Sequence, residues 1–267
     1  MTKQKGLIEP NLGDPDAFFI GWAKAPAVDR RFLIGALPAL TAAVAGGAYA
    51  TASNLSDPGA GAWLTDATHT VDGYLLRDPY PMLVSPDASA PSGMRTTLIV
   101  AEGKCTSGLK LDERNGAWVS AAGVLIERKN RQMLEVPLLL DNWLTEASAP
   151  DGAAARYQAP TPEPLGEASL RGMVMDSKCF FGVMRPARGR THKACASLCI
   201  RGGIPPSFWA RTEDGREAVL LMTDDEGGPI SDAILPIVAD AVEVTGQLVR
   251  VGDIVQLRAN ADRFKRL

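Results

Sequence analysis

A stretch in the last part of the chain decides the fold: Ala241-Val-Glu-Val-Thr-Gly-Gln-Leu-Val-Arg-Val-Gly-Asp-Ile-Val-Gln-Leu257. Two runs rich in β-branched and aliphatic residues flank a Gly-Asp dipeptide, an order typical of two strands joined by a tight turn. Gly246 stands in the middle of the first run. A glycine inside a strand suits the strong bend of a small closed barrel. The stretch therefore predicts one corner of a β-barrel.

The same pattern occurs earlier in the chain. The stretch 119–136 repeats the order of strand, turn and strand, with Gly123 in the place of Gly246. Likewise, Leu170-Arg-Gly-Met-Val-Met175 resembles Val71-Asp-Gly-Tyr-Leu-Leu76. The repeat predicts a mainly β chain with two small five-stranded OB-like barrels, and a β-sandwich is the alternative. The expected parts are a first OB-like β domain at 68–140, a linker at 141–166 and a second OB-like β domain at 167–267 with a short helix that bears the Cys/His cluster.

A long apolar segment precedes both repeats. No charged residue lies between Phe32 and Ser56, and about 20 apolar helical residues are enough to cross the hydrocarbon core of a bilayer. Because the segment has no polar face, a buried helix of a soluble domain is the weaker alternative. We therefore expect a single transmembrane helix at 32–53, after a cytosolic tail at 1–31 and before a linker at 54–67.

The charges on either side of this segment predict its orientation. The nearest charges before it include Lys24, Arg30 and Arg31, and those after it are Asp57 and Asp66. By the positive-inside rule the N-terminus is then cytoplasmic and both barrels lie on the other side. For a bacterial source, which is assumed, this describes a single-pass inner-membrane protein with periplasmic domains. A signal peptide cleaved near Ala48-Tyr-Ala50 is the alternative.

Composition excludes some classes of function. A net charge of −3 argues against a general nucleic-acid binder. The chain has no Ser-His-Asp order and no phosphate-binding glycine loop, so hydrolase and nucleotide chemistry have no support in the sequence.

Three of the four cysteines and one of the two histidines lie in one stretch of the second repeat. If Thr191 caps a short helix, His192, Cys195 and Cys199 fall on one helical stripe, and Cys179 approaches from the preceding turn. Such a Cys₃His set suits zinc, copper or iron. Its spacing matches no standard zinc finger, c-type haem attachment or Rieske pattern.

Two alternatives for this cluster remain open. Exported proteins commonly form disulfides, so Cys179 with Cys195 or Cys199 would staple the loop, and Cys105 would pair with the remaining cysteine. The other alternative is thiol redox chemistry at Cys195 or Cys199, favoured by the surrounding basic residues. Asp176 is expected to orient a ligand or Lys178, or to cap a turn.

Basic residues surround the cysteines, and no acidic residue occurs between Asp176 and Glu213. The pattern favours an anion-binding site, and a solvated loop that only carries charge is the alternative. The candidates are Lys178, Arg185, Arg188, Arg190, Lys193 and Arg201.

The residues around the cysteines read Gly172-Met-Val-Met-Asp-Ser-Lys-Cys-Phe-Phe-Gly-Val-Met184 and His192-Lys-Ala-Cys-Ala-Ser-Leu-Cys-Ile-Arg-Gly-Gly-Ile-Pro-Pro206. They resemble the signature of an uncharacterised family of membrane-anchored bacterial periplasmic proteins. The resemblance implies an accessory subunit or assembly factor of an electron-transfer system with molybdenum or b-haem subunits. Its site would bind a metal or cofactor, or dock a redox partner in the membrane. The alternatives are a periplasmic thiol-disulfide oxidoreductase, which is the enzyme alternative, and a scaffold with a disulfide-stapled loop.

Overall fold

The computed structural model describes residues 27–54, 61–106, 111–140, 142–211, 217–230 and 232–267. The chain divides into two compact units, Met1–Asp57 and Pro58–Leu267. Most of the predicted cytosolic tail lies outside the described residues.

In the first unit the described residues form helix α1 (Ala27–Asn54). Its segment Asp29–Ser53 is long and apolar enough to cross a membrane, with a mean hydropathy of 1.6. Pro38 lies inside the helix, and proline is tolerated in membrane helices. The predicted helix at 32–53 is therefore present and begins earlier than expected. Its orientation and its compartment stay predictions.

The second unit begins with a ring of strands. β1, β2, β3, β5 and β4 pair in this order, and β4 pairs again with β1. The pair β3–β5 is parallel and the other pairs are antiparallel. A short strand, β6, extends the sheet beside β4. The bounds are β1 (Gly61–Leu76), β2 (Met82–Pro86), β3 (Met94–Ala101), β4 (Trp118–Arg128), β5 (Arg131–Val136) and β6 (Leu144–Glu146).

The C-terminal region repeats this arrangement as a closed five-stranded barrel. β7, β8, β9, β11 and β10 pair in order, and β10 returns to β7. Here β9–β11 is the parallel pair. The predicted mainly β, OB-like fold is confirmed. The bounds are β7 (Glu163–Asp176), β8 (Pro206–Arg211), β9 (Glu217–Thr223), β10 (Ala241–Val251), β11 (Ile254–Arg258) and β12 (Phe264–Arg266), with helices α2 (Ala153–Tyr157) and α3 (Lys193–Arg201).

The predicted corner of the second barrel is a hairpin of β10 and β11. Val251 pairs with Ile254, and Gly252 at the turn has a φ of 63°, a conformation that glycine adopts without strain. Within the strands, a Cβ on Gly246 would crowd the carbonyl oxygen of Arg258, and one on Gly123 would crowd that of Glu135. The two glycines therefore allow close approach of neighbouring backbone in both barrels.

The strands extend into segments that composition marked as linkers. β1 begins at Gly61, inside the predicted linker 54–67, because its first residues pair with the end of β4. The predicted linker 141–166 contains β6, α2 and the start of β7. Many side chains at the starts of β1 and β7 are exposed, so these strands lack the apolar alternation that marks a strand in sequence.

One buried apolar cluster contains residues of both barrels. Tyr80, Leu98 and Met133 from the first barrel pack with Met175 and Phe181 from the second. The Tyr80 hydroxyl donates to the carbonyl oxygen of Met222 at 2.9 Å. The two barrels therefore share a core, and the chain between β7 and β8 enters it.

Candidate metal centre

The connection from β7 to β8 carries the predicted cluster. β7 ends at Asp176, a π-helical turn follows at Cys179–Val183, and a 3-10 turn at Arg190–His192 leads into α3. His192 occupies the N-cap position that sequence assigned to Thr191. Gly202 caps the C-terminal end of α3.

Asp176 holds two parts of the site together. Its side chain is fully buried, and Oδ1 accepts a hydrogen bond from the backbone N–H of Cys179 at 2.8 Å. Oδ2 lies 2.9 Å from Nε2 of His192, whose side chain is also buried. Because an ionised carboxylate only accepts, Nε2 carries the hydrogen of this bond, and in a neutral imidazole Nδ1 then has the free lone pair. A carboxylate on the far nitrogen is the usual support of a metal-binding histidine.

The ligand atoms fall into two overlapping groups. The sulfur atoms of Cys179 and Cys195 and a ring nitrogen of His192 lie within 4.8 Å of one another. Asp176, Cys179 and Cys199 form a second group with the same spacing. Tetrahedral zinc has bonds of about 2.0–2.3 Å to such atoms, so its ligands lie roughly 3.5–4 Å apart. The spacing of the first group is therefore close to that of ligands around a bound ion. Cys199 belongs to the second group, which shares Cys179 with the first.

The two buried thiols, Cys179 and Cys199, have pKa values that are shifted in opposite directions. The pKa of Cys199 is lowered mainly by a hydrogen bond from Cys179, with burial opposing and the nearby charge of Lys104 assisting. The pKa of Cys179 is raised because its proton is held in that bond, and burial adds to the effect. Loss of the proton is therefore favoured at Cys199 over Cys179, and a metal ligand must be deprotonated.

Lys104 reaches the cluster from the first barrel. Its Nζ lies 2.7 Å from Sγ of Cys195 and 3.9 Å from Sγ of Cys199. The contact with Cys195 raises the pKa of Lys104. Thr106 in the same connection donates its backbone N–H to the carbonyl oxygen of Gly202 at 2.8 Å. Sequence reasoning missed Lys104, since no local pattern joins the end of β3 to α3.

Met184 is the second residue that sequence reasoning missed. The thiol of Cys195 donates to its Sδ at 3.7 Å. The only signal in the sequence was its place at the end of the cysteine-bearing motif. The cluster thus contains a thioether as well as thiols and an imidazole.

The predicted anion-binding residues do not converge on one site. Lys178 is buried, and its Nζ contacts the carbonyl oxygens of Ala101 and Gly103, each at 2.9 Å, and Oε1 of Glu135 at 2.5 Å. These bonds use all three donors of an ammonium group, so the anion-binding role is wrong for Lys178. The residue instead joins the two barrels.

The other basic candidates point to separate partners. Arg185 donates to the carbonyl oxygen of Gly61 at 2.6 Å, and Arg188 lies over the ring of Trp209. Lys193 contacts Asp240 at 2.8 Å. Arg190 and Arg201 are exposed.

All four cysteines are free thiols. The predicted staple from Cys179 to α3 and the predicted bridge from Cys105 are therefore absent. Cys105 lies outside the cluster, where its thiol donates to the carbonyl oxygen of Glu102 at 3.5 Å. The close thiols of the site are instead arranged around one another and His192.

Comparisons with known proteins identify no relative. No family model matches the chain, and no curated protein or solved structure is significantly similar to it.

Proposed function

We propose that this chain is a membrane-anchored metal-binding protein whose cluster holds one thiophilic transition-metal ion, namely zinc, copper or iron. The observation that carries the proposal is the convergence of Cys179, His192 and Cys195, with their ligand atoms within 4.8 Å of one another. Asp176 supports it by holding the imidazole through Nε2. Cys199 supplies a fourth ligand.

The surroundings of the cluster favour binding over catalysis. Cys179, Cys199 and His192 are each at most 3% exposed. A site with four protein ligands leaves no position for a substrate, which is the usual arrangement of a structural or storage site. With the apolar helix α1, this supports an accessory subunit or assembly factor of a membrane redox system, with a membrane protein as its partner. The proposed place is the bacterial inner membrane, with the barrels in the periplasm.

A cobalt titration tests the metal-binding proposal. The full-length chain in detergent, with its thiols reduced, is titrated with Co²⁺ and followed by absorbance of sulfur-to-cobalt charge transfer. We expect saturation near one ion per chain, because the ligands form a single site. His192→Ala and Cys195→Ser are expected to weaken binding by at least tenfold.

Cys105→Ser is the matched control, because it removes a cysteine that lies outside the cluster. It is expected to bind Co²⁺ as the unmodified chain does. If Cys105→Ser weakens binding as much as Cys195→Ser, the metal lies elsewhere. The absence of any charge-transfer band, together with no binding of Cu(I), would sink the proposal.

One observation favours a second candidate, a thiol-disulfide oxidoreductase. The pKa of Cys199 is lowered mainly by a hydrogen bond from Cys179, and Cys195 beside it is partly exposed. In this chemistry the two thiols would become a disulfide, and an acceptor disulfide would be reduced to two thiols. Reaction with oxidised glutathione that removes two thiols per chain, and that Cys195→Ser abolishes, would favour this candidate.

A further inference from the structure

The sulfur atoms of the site lie at different depths. Met184 is 43% exposed, whereas Cys179 and Cys199 are 3% and 1% exposed. Cys195 lies between these extremes, and its thiol contacts Sδ of Met184 at 3.7 Å. A continuous path of sulfur ligands thus leads from the surface into the shared core.

A second contact fixes Met184 to the cluster. Its backbone N–H donates to the carbonyl oxygen of Cys179 at 3.2 Å, which closes the π-helical turn. Met184 is therefore fixed directly after the turn that begins with the buried Cys179.

A thioether discriminates between metals. Thiolate and thioether sulfur are soft ligands that suit Cu(I), whereas zinc sites in proteins use cysteine, histidine and carboxylate. A methionine beside a set of cysteines is therefore unneeded for zinc and favourable for monovalent copper. Three thiolates around one Cu(I) leave a negative charge, and Lys104 at 2.7 Å from Cys195 offsets part of it.

We propose that the ion of this site is Cu(I), and that Met184 captures it at the surface and passes it inward to Cys195 and Cys179. The inference rests on the proposed metal-binding function. Copper bound to Sδ of Met184 next forms bonds to Sγ of Cys195 and to Sγ of Cys179 as it loses the ligands of its external donor, and Met184 remains a ligand on the outer side. The thiols of Cys195 and Cys179 each release a proton to solvent, and copper stays monovalent throughout.

The test is a competition titration of Cu(I) under anaerobic, reducing conditions. The full-length chain competes for Cu(I) with bicinchoninate, and Co²⁺ binding is measured on the same samples. Met184→Leu keeps the volume and removes the sulfur. We expect it to lower the affinity for Cu(I) by about tenfold, a typical cost of removing one supporting group at a metal site, and to leave Co²⁺ binding unchanged.

Met94→Leu is the control, since Met94 lies in β3 beside Gly252, within the first barrel's sheet. It is expected to change neither metal. Equal Cu(I) affinity in Met184→Leu and the unmodified chain would overturn the role of Met184. Binding of Co²⁺ with weaker binding of Cu(I) would overturn copper alone, whereas failure to bind either metal would overturn the proposed function itself.

Discussion

The two barrels have the same order of paired strands, and they differ in the length of one connection. In the first barrel residues 77–81 join the first strand to the second, whereas in the second barrel residues 177–205 make the same connection. The longer one contains the π-helical turn, α3 and the whole Cys/His cluster. The closed ring is compatible with either connection, so chemistry is added to this scaffold by lengthening a loop.

The first barrel is nevertheless part of the site. It supplies Lys104 to the thiols and Glu135 to the buried Lys178. Glu135 also accepts a hydrogen bond from the indole of Trp63 at 2.9 Å. One copy of the repeat thus carries the proposed ligands, and the other supplies charged groups that contact the same region.

The largest expected effect comes from breaking the buried ion pair between the barrels. Lys178→Met leaves Glu135 buried without its cation, and removing one partner of such a pair typically costs about 3–5 kcal/mol. We expect the free energy of unfolding of the full-length chain, measured with urea and tryptophan fluorescence, to fall by this amount.

Lys129→Met is the matched control for the ion pair. Lys129 pairs with Glu217 at 3.6 Å with 65% of its side chain exposed, so its loss should cost less than about 1 kcal/mol. Equal losses in the two variants would contradict the view that the Lys178 pair joins the barrels.

The next effect concerns the contact between the first barrel and α3. A Cβ on Gly202 would clash with the carbonyl oxygen of Lys104, and forced insertion into a packed contact costs about 1–3 kcal/mol. Gly202→Ala should therefore destabilise the chain and also weaken Co²⁺ binding, because Lys104 is displaced. Arg201→Ala, at the exposed neighbouring position, should do neither. Unchanged Co²⁺ binding in Gly202→Ala would show that the position of Lys104 does not affect the metal site.

Substitutions of Lys104 test how strongly metal binding in the second barrel depends on a residue of the first barrel. Lys104→Met removes the cation 2.7 Å from Cys195, which makes the thiolates less stable and is expected to weaken metal binding by about tenfold at neutral pH. Lys104→Arg keeps the charge and should restore most of the affinity. If Lys104→Met binds metal more tightly, the ammonium competes with the ion instead of supporting the ligands.

The smallest effect comes from the phenol that joins the two barrels. Tyr80→Phe leaves the carbonyl oxygen of Met222 and the N–H of Ile230 without their partner, at a cost of about 1–2 kcal/mol. Tyr157→Phe removes only a 3.5 Å contact with Gly93 and should cost less than about 0.5 kcal/mol. Equal costs in the two variants would count against this contact between the barrels.

The same tyrosine predicts a dependence on pH. Burial raises the pKa of Tyr80 above its ordinary value of 10.0. The folded state then keeps a proton that the unfolded state releases, so stability is lost as the pH rises above 10. Tyr80→Phe lacks this contribution, and the difference in unfolding free energy between the two proteins should shrink between pH 9 and pH 11. A constant difference would show that the phenol is not shielded from solvent.

Local sequence patterns were sufficient to predict the two barrels and the position of the Cys/His cluster. Alternation of apolar residues and the Gly252-Asp253 turn predict β10 and β11, and the concentration of Cys179, His192 and Cys195 predicts where the ligands meet. Each of these signals lies within a short stretch of chain, where residue type and spacing determine the structure.

Local sequence patterns could not predict the contacts that support the cluster. Lys104 meets Cys195 across 91 positions of sequence, and Lys178 meets Glu135 only because two barrels pack together. A basic residue beside cysteines indicates charge without indicating its partner, so Lys178 was wrongly assigned to an anion site. The disulfide was predicted only because exported proteins commonly contain disulfides, whereas the four thiols are free.

Elemental analysis by mass spectrometry tests the central claim most directly. The full-length chain is purified in detergent, reduced and without chelator, alongside His192→Ala and Cys105→Ser. The account predicts roughly one thiophilic metal ion per chain in the unmodified protein and in Cys105→Ser, and a loss of that ion in His192→Ala. An unmodified protein that contains no metal, and that still binds none after incubation with Cu(I) or Zn²⁺, would contradict it.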